Sequence, residues 1–262
     1  MKRILAGFFM VLWLCFDSAA FAQVAEKVVD IPTRPGITQR FIYLAPENPR
    51  AAVILFAGGH GGLQISSSGT LGWGKNNFLV RSRNLFAERG LSVAVIDAPS
   101  DRQYTAFIGG FRQTAEHGED IKAVIAWLKK QNNVPVWLVG TSRGTQSAAF
   151  IATQLGVKDG GPDGLVLTST ILSDNKGRPV PEMPLEKIAI PVLVVHHEKD
   201  GCKHCLYSDI HRLMDKLNAV PRKELIAVNG GNNQGDPCEA LAYHGFYGIE
   251  NDVVSRISAW IK

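Results

Sequence analysis

The sequence predicts an α/β protein, a single domain built on a doubly wound, mainly parallel sheet. Three observations lead to this. Short apolar, β-branched runs alternate with helical segments from residue 52 onward, the order expected of a parallel sheet covered on both faces. Several of these runs end directly in glycine-rich or polar tips, at Gly58 to Gly62, at Ser142 and near Asp200, and α/β sheets place functional groups at the carboxyl ends of their strands. The 262 residues are 45 % apolar, with no internal repeat and no low-complexity linker, which suits one large core and excludes a disordered chain.

The N-terminus stands apart. Lys2 and Arg3 precede the apolar stretch Ile4 to Phe16, and Ala20-Phe21-Ala22 puts small residues at the −3 and −1 positions. Residues 1–22 are therefore expected to be a secretory signal peptide cleaved after Ala22, leaving a domain of residues 23–262 in the periplasm or outside the cell. The apolar stretch is too short to span a bilayer. A lipoprotein anchor at Cys15 is disfavoured by the bulky Trp13 and Leu14 before it. The segment carries Lys2, Arg3 and Asp17, so its loss takes the net charge from +4 to +3. The remaining charges are interspersed, with no basic block, so nucleic acid is not an expected partner.

Within the domain, residues 23–37 are expected to form a leading arm and turn broken by Pro32 and Pro35, and residues 40–44 an early edge strand. Residues 52–57 form a buried strand that runs into Gly58-Gly59-His60-Gly61-Gly62. This loop can aim backbone N–H groups at a ligand but lacks the pattern of a phosphate loop. Residues 63–75, rich in Ser and Gly, are expected to loop over the site. A helix follows from Phe78 until Gly90 ends it, then a strand over 91–96. Ala115, Ile121, Val124, Ile125 and Leu128 line one face of a further helix. Strands are expected at 134–139, 165–170, 190–195 and 224–228, and helices at 145–155, 208–217 and in the last residues, where Val253, Ile257, Trp260 and Ile261 share a face. Only about twenty residues separate the strands at 165–170 and 190–195, which leaves little room for a lid.

Gly140-Thr141-Ser142-Arg143-Gly144 fits G-x-S-x-G and stands between a strand and a helix. That setting suits a nucleophile elbow, a sharp turn whose neighbours must be small. It lifts Ser142 to a helix N-terminus, where N–H groups can meet a developing negative charge. A serine nucleophile needs a base and a carboxylate to orient that base. Of seven histidines, His117 and His211 sit in helical stretches and are expected at the surface. His196 and His197 close a strand, His60 belongs to the glycine loop, and His204 lies between two cysteines. His244, in the loop between the last strand and last helix, can swing over Ser142 and is the expected base. Asp200, just beyond the strand 190–195, is the expected acid. Asp174 and Glu198 are its rivals.

With these residues in place the chain resembles the α/β-hydrolase fold family, and within it the dienelactone-hydrolase-like serine esterases. The elbow, then Asp200, then His244 follow the family's Ser…Asp…His order, and Val192 to Asp200 is similar to its acid-bearing strand and turn. The resemblance implies a minimal lid and an oxyanion hole made of the Arg143 N–H and an N–H of the first glycine loop. His60 is the expected second donor, with Gly59 and Gly61 as alternatives. If the triad is right, the loops of Asp200 and His244 are neighbours, and so are Cys202 and Cys238. A Cys202–Cys238 disulfide would then tie the acid loop to the base loop, with Cys205–Cys238, a local Cys202–Cys205 bridge, or a zinc site of Cys202, His204, Cys205 and Cys238 as alternatives.

The implied activity is hydrolysis of a small-molecule carboxylic ester through an acyl-enzyme on Ser142, with no cofactor and no metal. Thioesters, amides and peptides are alternative substrates, and a non-catalytic periplasmic binding protein is the alternative of another class. Trp73, Tyr104, Phe107, Phe111 and Phe246 are candidate walls of a pocket formed by loops 63–76, 101–112 and 173–189. The Arg143 side chain could meet a substrate carboxylate or remain solvated. Oligomeric state is not encoded in any feature of the sequence.

Overall fold

A computed structural model describes residues 24–261. The expected signal peptide and its cleavage point lie outside these residues. The domain carries eight strands: β1 (Glu26–Arg34), β2 (Ile37–Leu44), β3 (Ala51–Phe56), β4 (Leu91–Ile96), β5 (Val136–Thr141), β6 (Gly164–Thr168), β7 (Val192–His197) and β8 (Lys223–Val228). Six helices connect or cover them: α1 (Phe78–Arg81), α2 (Arg83–Ala87), α3 (Ala115–Gln131), α4 (Gly144–Gln154), α5 (Ile210–Lys216) and α6 (Glu250–Trp260). The sheet order is β1-β2-β4-β3-β5-β6-β7-β8. β2 is antiparallel to both β1 and β4, and every other pairing is parallel.

Strands β3 to β7 are buried at every position and mostly apolar because both faces of the sheet are covered. Ala52, Ile54 and Phe56 of β3 pack on one side with Leu138 and with Val124 and Leu128 of α3. Val53 and Leu55 pack on the other with Val139, Phe86 of α2 and Val253, Ile257 and Trp260 of α6. The period of two along one strand thus feeds two separate cores. α3 starts where Thr114 caps the His117 N–H and ends with Lys129 and Lys130 in its last turn, which suits the helix dipole.

Three expectations are corrected here. The leading arm is strand β1, paired in register with β2 from Glu26↔Leu44 to Arg34↔Ile37. Pro32 is tolerated because β1 is the sheet's edge strand and the register shifts between Pro32 and Arg34. β2 is therefore not an edge. His117 lies 1 % exposed, with Phe56 and Phe111 packed around its ring. The helical face that carries Ile121 and Val124 extends one turn further back than the apolar residues alone indicate. Between Thr168 and Val192 there are only two single 3₁₀ turns, so among the described residues this connection builds no lid domain over the sheet's carboxyl edge.

Candidate active site

The pentapeptide forms the turn that joins β5 to α4. Ser142 sits at φ +52°, a left-handed conformation costly for a side chain with a Cβ and one that marks functional sites. Its N–H donates to the Thr168 carbonyl at 3.1 Å, and its own carbonyl accepts from the Thr145 N–H at 2.9 Å and the Thr145 hydroxyl at 2.6 Å. A Cβ on Gly140 would stand 2.5 Å from the Gly144 carbonyl oxygen, and one on Gly144 would stand 2.0 Å from that of Phe56. The two glycines are thus required by the close approach of β3 and of the turn to itself. The Arg143 N–H meets no backbone acceptor among the described residues.

Asp200 follows β7 and is buried, and its Oδ2 accepts from His244 Nδ1 at 2.9 Å. Its other oxygen accepts the Cys202 N–H at 2.9 Å. His196, inside β7, lies 3.5 Å from the same carboxylate and donates through Nε2 to the Cys205 carbonyl at 2.7 Å. Burial pushes the His196 imidazole below its ordinary pKa, against the pull of the Asp200 charge. The His244 backbone is fixed by the Ser169 hydroxyl, which donates to its carbonyl at 2.6 Å. Arg81 holds the next residue, donating to the Gly245 carbonyl at 2.6 Å while paired with Glu250. His244 Nε2 is buried and has no hydrogen-bond partner among the described residues. Ser142 and His244 line one cavity of about 430 Å³ with Gly58, Gly59, Trp73 and Phe78.

The structure brings together Ser142, Asp200 and His244 and separates the rivals. Asp174 is taken by Arg143, whose Nη1 and Nη2 donate to its two oxygens at 2.7 and 3.2 Å, and by Gln146. Its carboxyl is below the usual range: burial raises it, and the Arg143 bond and the Lys176 N–H more than offset that. The Arg143 side chain is therefore neither free nor aimed at the cavity. Glu198 is exposed, and its side chain meets only the Asn229 amide among the described residues.

The glycine loop lies differently from expectation. Gly58 and Gly59 line the cavity, whereas His60 and Gly61 do not. The turn, with Gly59 at φ +56° and Gly61 at φ +76°, carries His60 past the cavity. Its ring is sandwiched between Trp73 and Phe107, with centroids at 3.9 and 4.5 Å. Burial and the charge of Arg112 hold its pKa below the ordinary value. The walls differ too: Trp73 is a wall, but Phe246 is core, Phe107 stacks on His60, Phe111 packs by His117, and Tyr104 is exposed. Residues 71–78, 238–240 and 244–245 build the cavity in place of loops 101–112 and 173–189.

Cys202 is bonded to Cys238, with Cα atoms 4.4 Å apart, and Cys205 is free and buried. Burial raises the Cys205 thiol well above its ordinary pKa, and the Asp200 charge adds to this. Cys202, Cys205 and His244 come close enough to suggest a metal, but Cys202 is in the disulfide and His244 Nδ1 is engaged with Asp200. His204 instead turns its Nδ1 to the Ser173 carbonyl. The supports from Ser169, Arg81 and the buried Arg112 carry no signal in the sequence, because each acts on a backbone carbonyl distant in the chain.

No family model and no curated protein matches the sequence. Solved structures do match. The dienelactone hydrolase of Anabaena variabilis ATCC 29413 is 15 % identical with a TM-score of 0.62 over 91 % of this chain and 97 % of that one. An esterase of Pyrococcus furiosus is 14 % identical with a TM-score of 0.64 over 91 % and 92 %. A serine hydrolase of Xanthomonas campestris, described as lacking a lid, is 16 % identical with a TM-score of 0.54 over 90 % and 95 %. Strand order, crossover pattern and these likenesses agree, and the chain has the α/β-hydrolase fold.

Proposed function

We propose that the protein is an exported serine hydrolase that cleaves carboxylic esters of small molecules. One observation carries this reading. A strained serine shares a cavity with a buried histidine whose Nδ1 is bound to a carboxylate and whose Nε2 is unpartnered. Ser142 attacks the carbonyl carbon as His244 Nε2 takes the hydroxyl proton. Asp200 holds the imidazole in the tautomer with the proton on Nδ1 and stabilises the cation that forms. The oxyanion is met by the N–H of Arg143 and that of Gly59, each donor worth about 3 kcal/mol in the transition state. His244 then protonates the leaving alkoxide, and water, deprotonated by His244, releases the acyl group.

The names of the similar structures, an esterase and a dienelactone hydrolase, favour ester bonds over thioesters, amides and peptides. A signal peptide over residues 1–22 would send the chain to the periplasm or beyond, a compartment in which a disulfide persists. A fluorophosphonate probe tests the reading, with short p-nitrophenyl esters beside thioester and amide analogues. Wild-type protein should be labelled and turn over the ester, and Ser142→Ala should lose both while keeping its thermal transition. Absence of labelling in the folded wild type would leave the non-catalytic binding protein as the reading.

A further inference from the structure

Arg112 is 2 % exposed, and its guanidinium has no carboxylate partner among the described residues. A buried, unpaired cation costs several kcal/mol, so a structure retains one only where it makes other strong bonds. Here those bonds converge on one turn. Nη2 donates to the carbonyls of Ala57 at 3.0 Å and Gly59 at 3.2 Å, with that of Gly58 at 3.5 Å. Nη1 donates to the Ser147 hydroxyl at 2.9 Å.

In a trans peptide the carbonyl and the following N–H point in opposite directions. Gripping these carbonyls turns the N–H groups of Gly58, Gly59 and His60 away from the guanidinium, and Gly58 and Gly59 line the cavity that holds Ser142. Glycines have no side chain to brace their own peptide planes, so the turn must be held from outside. Ser147 lies on α4, one turn beyond Arg143. A single side chain therefore touches both the glycine turn and the helix that starts just after Arg143, whose N–H is the other oxyanion donor.

The geometry points to Arg112 as the positioning residue of the oxyanion hole. It sets the peptide planes of the glycine turn and registers them against the nucleophile's helix. Its charge, in a dry interior, also polarises those peptides and strengthens their N–H groups as donors. Burial, helped by the charge of Arg143, lowers the Arg112 pKa to about 9, so the side chain remains cationic at neutral pH. This role rests on the hydrolase reading above.

Arg112→Met and Arg112→Lys test it against wild type. The readouts are kcat and KM on a short p-nitrophenyl ester, and affinity for an alkylboronic acid, which forms a tetrahedral adduct on the serine. Arg112→Met should lower kcat about 100-fold, the effect of misplacing a catalytic group by about 1 Å, with KM nearly unchanged and boronate affinity falling in parallel. Arg112→Lys keeps the charge but not the fork, and should recover only part of the loss. Variants that match wild type in kcat and boronate affinity overturn the role, as do variants that lose KM and thermal stability alongside kcat. Should Arg112→Met fail to fold, Arg112→Lys decides: a fall in kcat at unchanged KM supports the role and wild-type kcat overturns it. A wild type that fluorophosphonate does not label removes the hydrolase reading and this role with it, whereas a labelled wild type with indifferent variants removes this role alone.

Discussion

Ser142 owes its conformation to its two glycine neighbours. Gly144→Ala places a methyl group 2.0 Å from the Phe56 carbonyl oxygen, which is backbone and cannot swing aside. The variant should lose at least about 2 kcal/mol in urea unfolding and nearly all ester turnover, since the elbow must open to admit the methyl. His117 raises a different residue-scale question. Both its ring nitrogens are buried without partners among the described residues, and burial, then the charges of Arg112 and Arg34, depress its pKa to about 3. Between about pH 6.5 and 3 the unfolded chain binds a proton at this site that the native protein does not. Stability therefore falls as the solution is acidified through that window, by on the order of a few kcal/mol. His117→Phe keeps the ring shape and removes this titration. The difference in urea midpoint between the variant and wild type should move in the variant's favour from pH 7 to pH 4.5, and an unchanged difference would refute the assignment. Sequence alone placed His117 at the surface because helical spacing does not reveal how far round a helix the neighbouring strands reach.

At the scale of elements, the functional groups come from separate strand ends that are side by side only because β3, β5, β6 and β7 are adjacent in the sheet. The turn after β3 contributes Gly59, that after β5 Ser142, that after β6 Ser169, and that after β7 Asp200. The His244 loop belongs to no strand end in that row and is tied in by Ser169, by Arg81 and by the Cys202–Cys238 bond. That disulfide closes a loop across a sequence separation of 36, worth about 3–4 kcal/mol on the chain-entropy account. Cys202→Ser/Cys238→Ser should lower stability by about that amount in calorimetry. It should also lower kcat, because Cys238 to Ala240 line the cavity. Full kcat in the double variant would limit the bond to a stabilising role. The pairing was open in the sequence among three cysteines, since spacing does not determine which thiols meet.

Across the whole molecule, the N-terminal hairpin joins the sheet through the β2–β4 pairing, and a charged cluster at the end of β1 ties it further to the main body. Arg34 donates to Asp120 of α3 through Nε at 2.9 Å and Nη2 at 3.0 Å, and it also pairs with Asp101. The Asp120 bond comes first among the causes that raise the Arg34 pKa. The Asp120 side chain has no exposed surface, so Arg34→Met leaves a buried carboxylate with only the Thr33 hydroxyl and no positive partner. The variant should lose about 3 kcal/mol, seen as a single thermal transition shifted down by about 6–12 °C. A second, separate transition would instead show that the hairpin unfolds alone.

The sequence by itself determined the parallel α/β architecture, the position of the elbow, and the order in which nucleophile, acid and base candidates occur. These properties are local or sequential: hydrophobic period, glycine at tight turns, and the polar tip after each apolar run. Only the tertiary structure decided that Asp200 and not Asp174 meets His244, that Gly59 replaces His60 at the cavity, that β1 edges the sheet, and that Arg143 spends its side chain on Asp174. The physical reason is common to all four. Each depends on which of several chemically equivalent groups lies within about 3 Å of a partner, and that distance is set by the packing of elements remote from one another in the chain.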